Sequence, residues 1–329
     1  MNIKEIKILG AGLSCIDIIK TDKEYIMLGG TAANVVSILS LLGVQASFLQ
    51  AKYIGEDGVW LNNEMKKRKV KVINFNHCKI EAPRFVEYLK NGEHYFITLC
   101  PECGKKLNVL KLPQISHIKN TYAPDNTLNL FYYDRVSDGI KWLLENNDCG
   151  WNFYEPNSFR VYDTFLKNVR TANIVKLSDE RISNKYAEKL KEDLGNSAVQ
   201  LMIVSLGPIG LKYTHKQQLG NMSEWQYIYT DEMEDVVDSA GAGDWLTAVF
   251  LYYFLRVYPY FVDKLDNNIL KDCLVKAQKM AALTCLFIGA QGILEDELGI
   301  KQINCFLENT VEILKPSRIS STECDYCKR

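Results

Sequence analysis

The sequence predicts an α/β protein: a doubly wound, mostly parallel sheet flanked by helices, with a small β lid. Three observations carry that expectation. From about residue 128, short apolar runs of strand length alternate with amphipathic runs of helical period, the pattern of parallel strands joined by crossover helices. Between Val70 and about residue 120 the alternation lapses, and two period-two segments flank Asn91-Gly92, a strong hairpin signal. Finally, Asp238-Ser-Ala-Gly-Ala-Gly-Asp244 runs straight into a long apolar helix, expected from Trp245 to about Tyr258.

Taken in order, residues 6–9 form a first apolar strand closed by Gly10-Ala-Gly12. The string superficially resembles a dinucleotide fingerprint, but Cys15 stands at its third glycine and a strand-like stretch follows where a helix is needed. Gly29-Gly30 leads into a helix with Val35, Val36, Leu39 and Leu42 on one face and Gly43 as its stop. Asn34 falls in its first turn, on the side opposite that stripe, placed either to bind hydroxyls or simply to be solvated. A strand over 45–51 follows, then Gly55-Glu-Asp57-Gly58 as turn and N-cap of a helix to about Lys69. After the hairpin come strands at 128–132, 151–154, 172–176 and 199–205, with helices between them. Gly207-Pro-Ile-Gly210 closes the last of these. A second long helix carries Leu270, Cys273, Leu274, Ala277, Met280, Ala281, Thr284 and Ile288 on its core side and ends near Gly289.

Composition bounds the function. The 329 residues are expected to form one large domain, with 47% hydrophobic and 24% charged residues, as in ordinary globular proteins. A net charge of −1 offers nothing to attract nucleic acid or an anionic membrane. The start is charged and without a signal-peptide core, and no apolar run reaches membrane-spanning length, so a cytoplasmic location is expected. Without a secretory signal, the ten cysteines do not suggest a disulfide framework.

Glycines at 241 and 243 remove side chains where a backbone approaches a ligand, and free N–H groups at a helix start form an anion site. An aspartate inside such a cradle suits a base that takes a proton from an attacking hydroxyl while amides neutralise a phosphoryl group in flight. The other reading of these seven residues is a strand-to-helix turn capped by Asp238 or Ser239.

The set of motifs, in order, resembles the phosphofructokinase-B, or ribokinase-like, family of sugar kinases: Gly10-Ala-Gly12 with Asp17, Gly29-Gly30-x-x-x-Asn34, Gly55-x-Asp57, Lys176-Leu-Ser-Asp-Glu180, Gly207-x-x-Gly210 and Asp238-x-x-Gly-Ala-Gly-Asp244. The resemblance spans about residues 6–295. It implies Asp244 as the base and the amides of Gly241, Ala242 and Gly243 as the anion hole. It implies Asp17, Gly29, Gly30 and Asn34 as acceptor contacts. Lys176, Ser178, Glu180, Ser205, Gly207, Gly210 and Gly289 would serve ATP and its Mg²⁺. Asp238 and Ser239 would supply oxygens to a monovalent cation such as K⁺. A lid would form from about 15–27 and 83–123, and such lids often pair between subunits, which suggests a homodimer. The acceptor would be a sugar or sugar phosphate, with a nucleoside kinase, or a non-catalytic regulator keeping the fold, as alternatives. Two departures stand out. Ser178 and Arg181 occupy the family's Asn and Glu positions for organising magnesium, with Glu180 one residue early, and Ser-Ala at 239–240 replaces the commoner pair of threonines. Arg84, Lys90 and Lys52 are the cations that could meet a phosphate on the acceptor.

Cys100-x-x-Cys103 and Cys324-x-x-Cys327 lie outside the resemblance. Four thiolates at this spacing suit a shared structural zinc site that would pin the tail (315–329) beside the lid; two unrelated exposed pairs or a redox pair are the other readings.

Overall fold

A strand buried on both faces must be apolar along its whole length, and that is what the central runs show. Leu130–Tyr133 and Leu201–Ser205 expose almost nothing. In the computed structural model, residues 1–307 are described except 91–92, 101–102, 108, 219, 232 and 234–235, and the side chains of 77–79, 90 and 93–96 are not.

The chain begins with β1 (Lys7–Ala11), β2 (Cys15–Lys20) and β3 (Glu24–Gly29), then α1 (Thr31–Leu41) and β4 (Gln45–Ile54). Next come α2 (Gly55–Lys67), β5 (Lys71–Glu81), β6 (Arg84–Lys90), β7 (Glu93–Ile97) and α3 (Ile115–Lys119). The alternating half follows as β8 (Leu130–Tyr133), α4 (Asp138–Asn146), β9 (Trp151–Tyr154), α5 (Tyr162–Val169) and β10 (Ile174–Ser178). It continues with α6 (Asn184–Asp193), β11 (Leu201–Ser205), β12 (Gly210–His215) and β13 (Gln226–Tyr229). The long helices α7 (Ala242–Val257) and α8 (Asn267–Thr284) precede α9 (Gly292–Glu295) and α10 (Glu297–Leu307).

Among the described residues these strands make a nine-stranded sheet ordered β13-β12-β11-β10-β9-β8-β1-β4-β5, parallel except for β12 and β13. The expected doubly wound, mostly parallel sheet is therefore present. The carboxyl ends of β1, β8, β9, β10 and β11 point to one edge, where ligands of such sheets bind. Beneath them lies a core of large side chains, including Trp151, Phe153, Trp245, Phe250 and Phe254.

β5 is a main-sheet strand that falls in the stretch where the sequence predicted a lapse. It is an edge strand, paired only to β4, and its polar residues mask the apolar run that marks a central strand. A second sheet, ordered β3-β2-β6-β7, stands where the lid was expected. It ends earlier than the expected boundary at 123. After Ile97 the chain leaves the sheet, and α3 returns to the main body, with Ile118 fully buried and His117 stacked on Phe75 at 5.5 Å. β6 and β7 pair antiparallel as the hairpin signal predicts, with Lys90 facing Glu93, while Asn91 and Gly92 lie outside the described residues.

α1 is enclosed on all sides, with Ala32 through Ser40 buried, because α7 packs on the face the apolar stripe leaves over. Asn34, expected opposite that stripe and open, is only 3% exposed. The turn at 55–58 is also tighter than expected, because the helix begins at Gly55 itself with no side-chain cap.

Candidate active site

The loop into α7 is set by backbone demands. Asp238 is buried, and its carboxylate accepts from the N–H of Ala240 and of Gly289, both at 2.8 Å. It thereby ties the loop to the turn before α9. Gly241 is left-handed (φ 79°) and lies against Ala290, where any Cβ would collide. Gly241 is also the N-cap of α7, and no side chain caps the helix. Among the described residues, no protein acceptor takes the N–H of Gly241 or Gly243, while that of Ala242 donates to Ser239 O at 3.3 Å. The cradle therefore presents two fully free amides where three were expected, at the positive end of a helix dipole.

Asp244 sits in the first turn of α7, half-buried. Asn34 Nδ2 donates to its Oδ2 at 2.7 Å. Burial first, and then the nearby Glu155 carboxylate, push the Asp244 carboxyl up to about 7; the Asn34 bond, Lys176 and Arg181 oppose them. A carboxyl poised near neutrality suits a general base. The environment that raises it is a buried cluster. Glu155 follows β9 and accepts from Lys176 Nζ, from Tyr132 Oη at 2.9 Å and from Thr247 Oγ1 at 2.8 Å. Lys176 Nζ also donates to Gly243 O at 3.1 Å, so β9, β10 and the start of α7 are held together below the loop. Lys176, expected to serve the nucleotide, is 3% exposed and spends its charge on Glu155.

The expected acceptor residues gather on the other side of Asp244. A Cβ at Gly29 would strike the Asp17 carboxyl, and Cys15 Sγ donates to Asp17 Oδ1 at 3.2 Å. Gly30 (φ 93°) turns the chain into α1 and so carries Asn34 to Asp244. Arg84, a candidate for an acceptor phosphate, is already paired with Asp57 by two bonds of 2.5 and 2.7 Å. Lys52 is exposed, and the Lys90 side chain lies outside the described residues.

The expected nucleotide residues line the strand ends. Ser178 and Ser205 are paired at the ends of β10 and β11, and Ser205 Oγ donates to Leu177 O at 3.2 Å. Gly207 (φ 56°) has open space beside it, whereas Gly210 presses on the Ile228 carbonyl and is required by strand pairing. Gly289 (φ 71°) lies under Met27 Sδ and Ile19 Cδ1, against the lid. Glu180 is exposed; the next helix begins only at Asn184, so no shifted helix start brings it inward. Arg181 donates to Pro156 O at 3.3 Å. Ser239 is exposed beside buried Asp238.

Gly104 N–H donates to Cys100 O at 2.9 Å, and the two residues between Cys100 and Cys103 lie outside the described residues. Among the described residues no group of three or more His, Cys, Asp or Glu side chains gathers as a metal site, so the expected zinc finds no support. Cys324 and Cys327 lie outside the described residues.

Sequence reasoning missed Glu155, Tyr132, Thr247, Gln291 and Arg68. Glu155 alone left a signal, a carboxylate directly after a strand whose carboxyl end faces the site.

No curated protein matches the chain in sequence. Residues 140–297 match the model for the pfkB family carbohydrate kinases. The fold is similar to that of a fructokinase with bound ATP from Xylella fastidiosa, at 17% identity, 94% of this chain and 100% of the other, TM-score 0.68. It is also similar to a ribokinase from Giardia lamblia (13% identity, 87% and 96%, TM-score 0.66) and an adenosine kinase from Sinorhizobium meliloti (16%, 87% and 95%, 0.65). The family match spans α4 to the start of α10, just under half of the chain, and the similarity to ribokinase-like structures covers nearly the whole of it in fold.

Proposed function

We infer that the protein transfers the γ-phosphoryl group of ATP to a hydroxyl of a sugar or a sugar-bearing molecule such as a nucleoside, with Asp244 as base. The observation that carries this reading is the meeting of two features in one turn: unbonded amides at Gly241 and Gly243, and a carboxylate held by Asn34 at Asp244. The acceptor hydroxyl attacks the γ-phosphorus, its proton passes to Asp244, and the bond to the bridging oxygen breaks to release ADP. The two amides and the α7 dipole meet the charge on the transferred group. Asp17 would accept hydroxyl hydrogens of the acceptor across Gly29. Gly207, with open space beside it, would lie against the nucleotide.

Magnesium fits this site in a limited way. Mg²⁺ keeps water and phosphate ligands and needs few from protein. The buried Glu155 is committed to Lys176, Tyr132 and Thr247, which leaves the exposed carboxylates of Asp179 and Glu180, just after β10, as the candidates on that side. When bound, the ion neutralises phosphate charge.

A screen of sugars, sugar phosphates and nucleosides for acceptor-dependent ADP release tests the reading. At least one hydroxyl-bearing acceptor is expected to raise ADP release well above the water rate. A flat response across all three classes, in protein that binds ATP, would count against it.

A further inference from the structure

We propose that Gln291 and Arg68 are positioning residues that fix which end of the Asn34 amide faces Asp244. This rests on the reading of Asp244 as base. The bonds run in one direction. Arg68 Nε donates to Gln291 Oε1 at 2.9 Å, Gln291 Nε2 donates to Asn34 Oδ1 at 2.9 Å, and Asn34 Nδ2 donates to Asp244 Oδ2 at 2.7 Å. Gln291 is fully buried, and Arg68 and Asn34 are 5% and 3% exposed, so water does not offer substitute partners.

A buried amide is nearly the same shape either way round, and packing alone does not orient it. A guanidinium can only donate. Gln291 must therefore turn its oxygen to Arg68 and its NH₂ to Asn34. Asn34 must then accept from Gln291 and donate to Asp244. Arg68 is itself held by Glu64, at 2.6 Å, and by Glu295 at 3.4 Å, with Lys67 on the other Glu64 oxygen at 2.5 Å. Helix α2, the turn before α9, helix α1 and the catalytic turn are thus joined by one chain of fixed polarity.

The consequence is chemical. An amide free to flip would offer its oxygen to a protonated Asp244 and stabilise that form. A locked amide denies the protonated carboxyl an acceptor at Asn34, favours the ionised base and leaves Oδ1 as the oxygen that takes the proton. The other groups facing Asp244 are Glu155, Lys176, Arg181 and Tyr132, and none of them depends on Gln291.

The test uses the full-length chain with ¹³C-labelled aspartate carboxyls, the Asp244 signal being assigned by its loss in Asp244→Asn. The expected result is an upward move of the Asp244 titration midpoint, by about one pH unit in Gln291→Glu and about half a unit in Gln291→Met. The acid limb of the kcat/KM profile should move with it, activity recovering at high pH. Unmoved midpoints overturn the proposal. So does a shift in Gln291→Glu with none in Gln291→Met, since added charge alone would explain it. If Gln291→Glu does not fold, the Gln291→Met titration decides. Wild-type turnover in Asp244→Asn would instead remove the base reading, while the titration would still judge the relay.

Discussion

Asp244 concentrates the conflict between stability and chemistry in one side chain. Its carboxyl is raised to about 7 by burial and by Glu155, so between about pH 4 and 7 the folded protein holds a proton that the unfolded chain has already released. Stability therefore falls as pH rises through that window, and above it the ionised carboxylate costs on the order of 4 kcal/mol. Asparagine keeps the oxygen that Asn34 donates to and removes the charge. Asp244→Asn should accordingly raise the urea midpoint at pH 8, with the gain shrinking towards zero near pH 4; equal gains at both pH values would show that charge burial is not the cause. At this scale the sequence was legible where a residue's role is local. Asp244 and its glycines lie within seven positions, and their order implies a helix start. Gln291 was not legible and Glu155 showed only as a carboxylate after a strand end, because each acquires its role from partners more than 20 positions away, such as Lys176 for Glu155 and Asn34 for Gln291.

At the scale of elements, the turn into α7 is anchored rather than capped. α7 begins with no side-chain cap, and what fixes its first turn is Lys176 from β10, bridging Glu155 and the Gly243 carbonyl. Removing the cation would leave Glu155 buried with only two neutral donors, Tyr132 and Thr247. Lys176→Met is expected to cost about 3–5 kcal/mol in chemical denaturation, and the further change Glu155→Gln should return much of it. No rescue in the double variant would mean that the pair is not coupled. The elements themselves were largely legible, since strand and helix periods alternate cleanly after residue 128. The exceptions have physical causes. β5 is a polar edge strand, and α1 is packed all round, so a one-sided stripe understated its burial and that of Asn34.

Across the whole molecule, the site exists only because distant segments converge. Asp17 of β2 packs on Gly29, α1 delivers Asn34, the central strands deliver Glu155 and Lys176, and α7 supplies the amides. The order of these motifs along the chain made the fold readable and carried the proposed reaction class. The acceptor was not readable, because in the proposed reading its recognition would depend on side chains converging from β2 and α1, and Arg84, one of three candidate cations, is committed to Asp57. The most direct measurement follows Asp244→Asn in two assays on one preparation, ATP binding by calorimetry and phosphoryl transfer to the acceptor found by screening. Transfer should fall by about 10²–10⁴-fold while the ATP Kd stays within about threefold. Turnover close to that of the unchanged protein, with ATP bound equally well, would contradict Asp244 as the base.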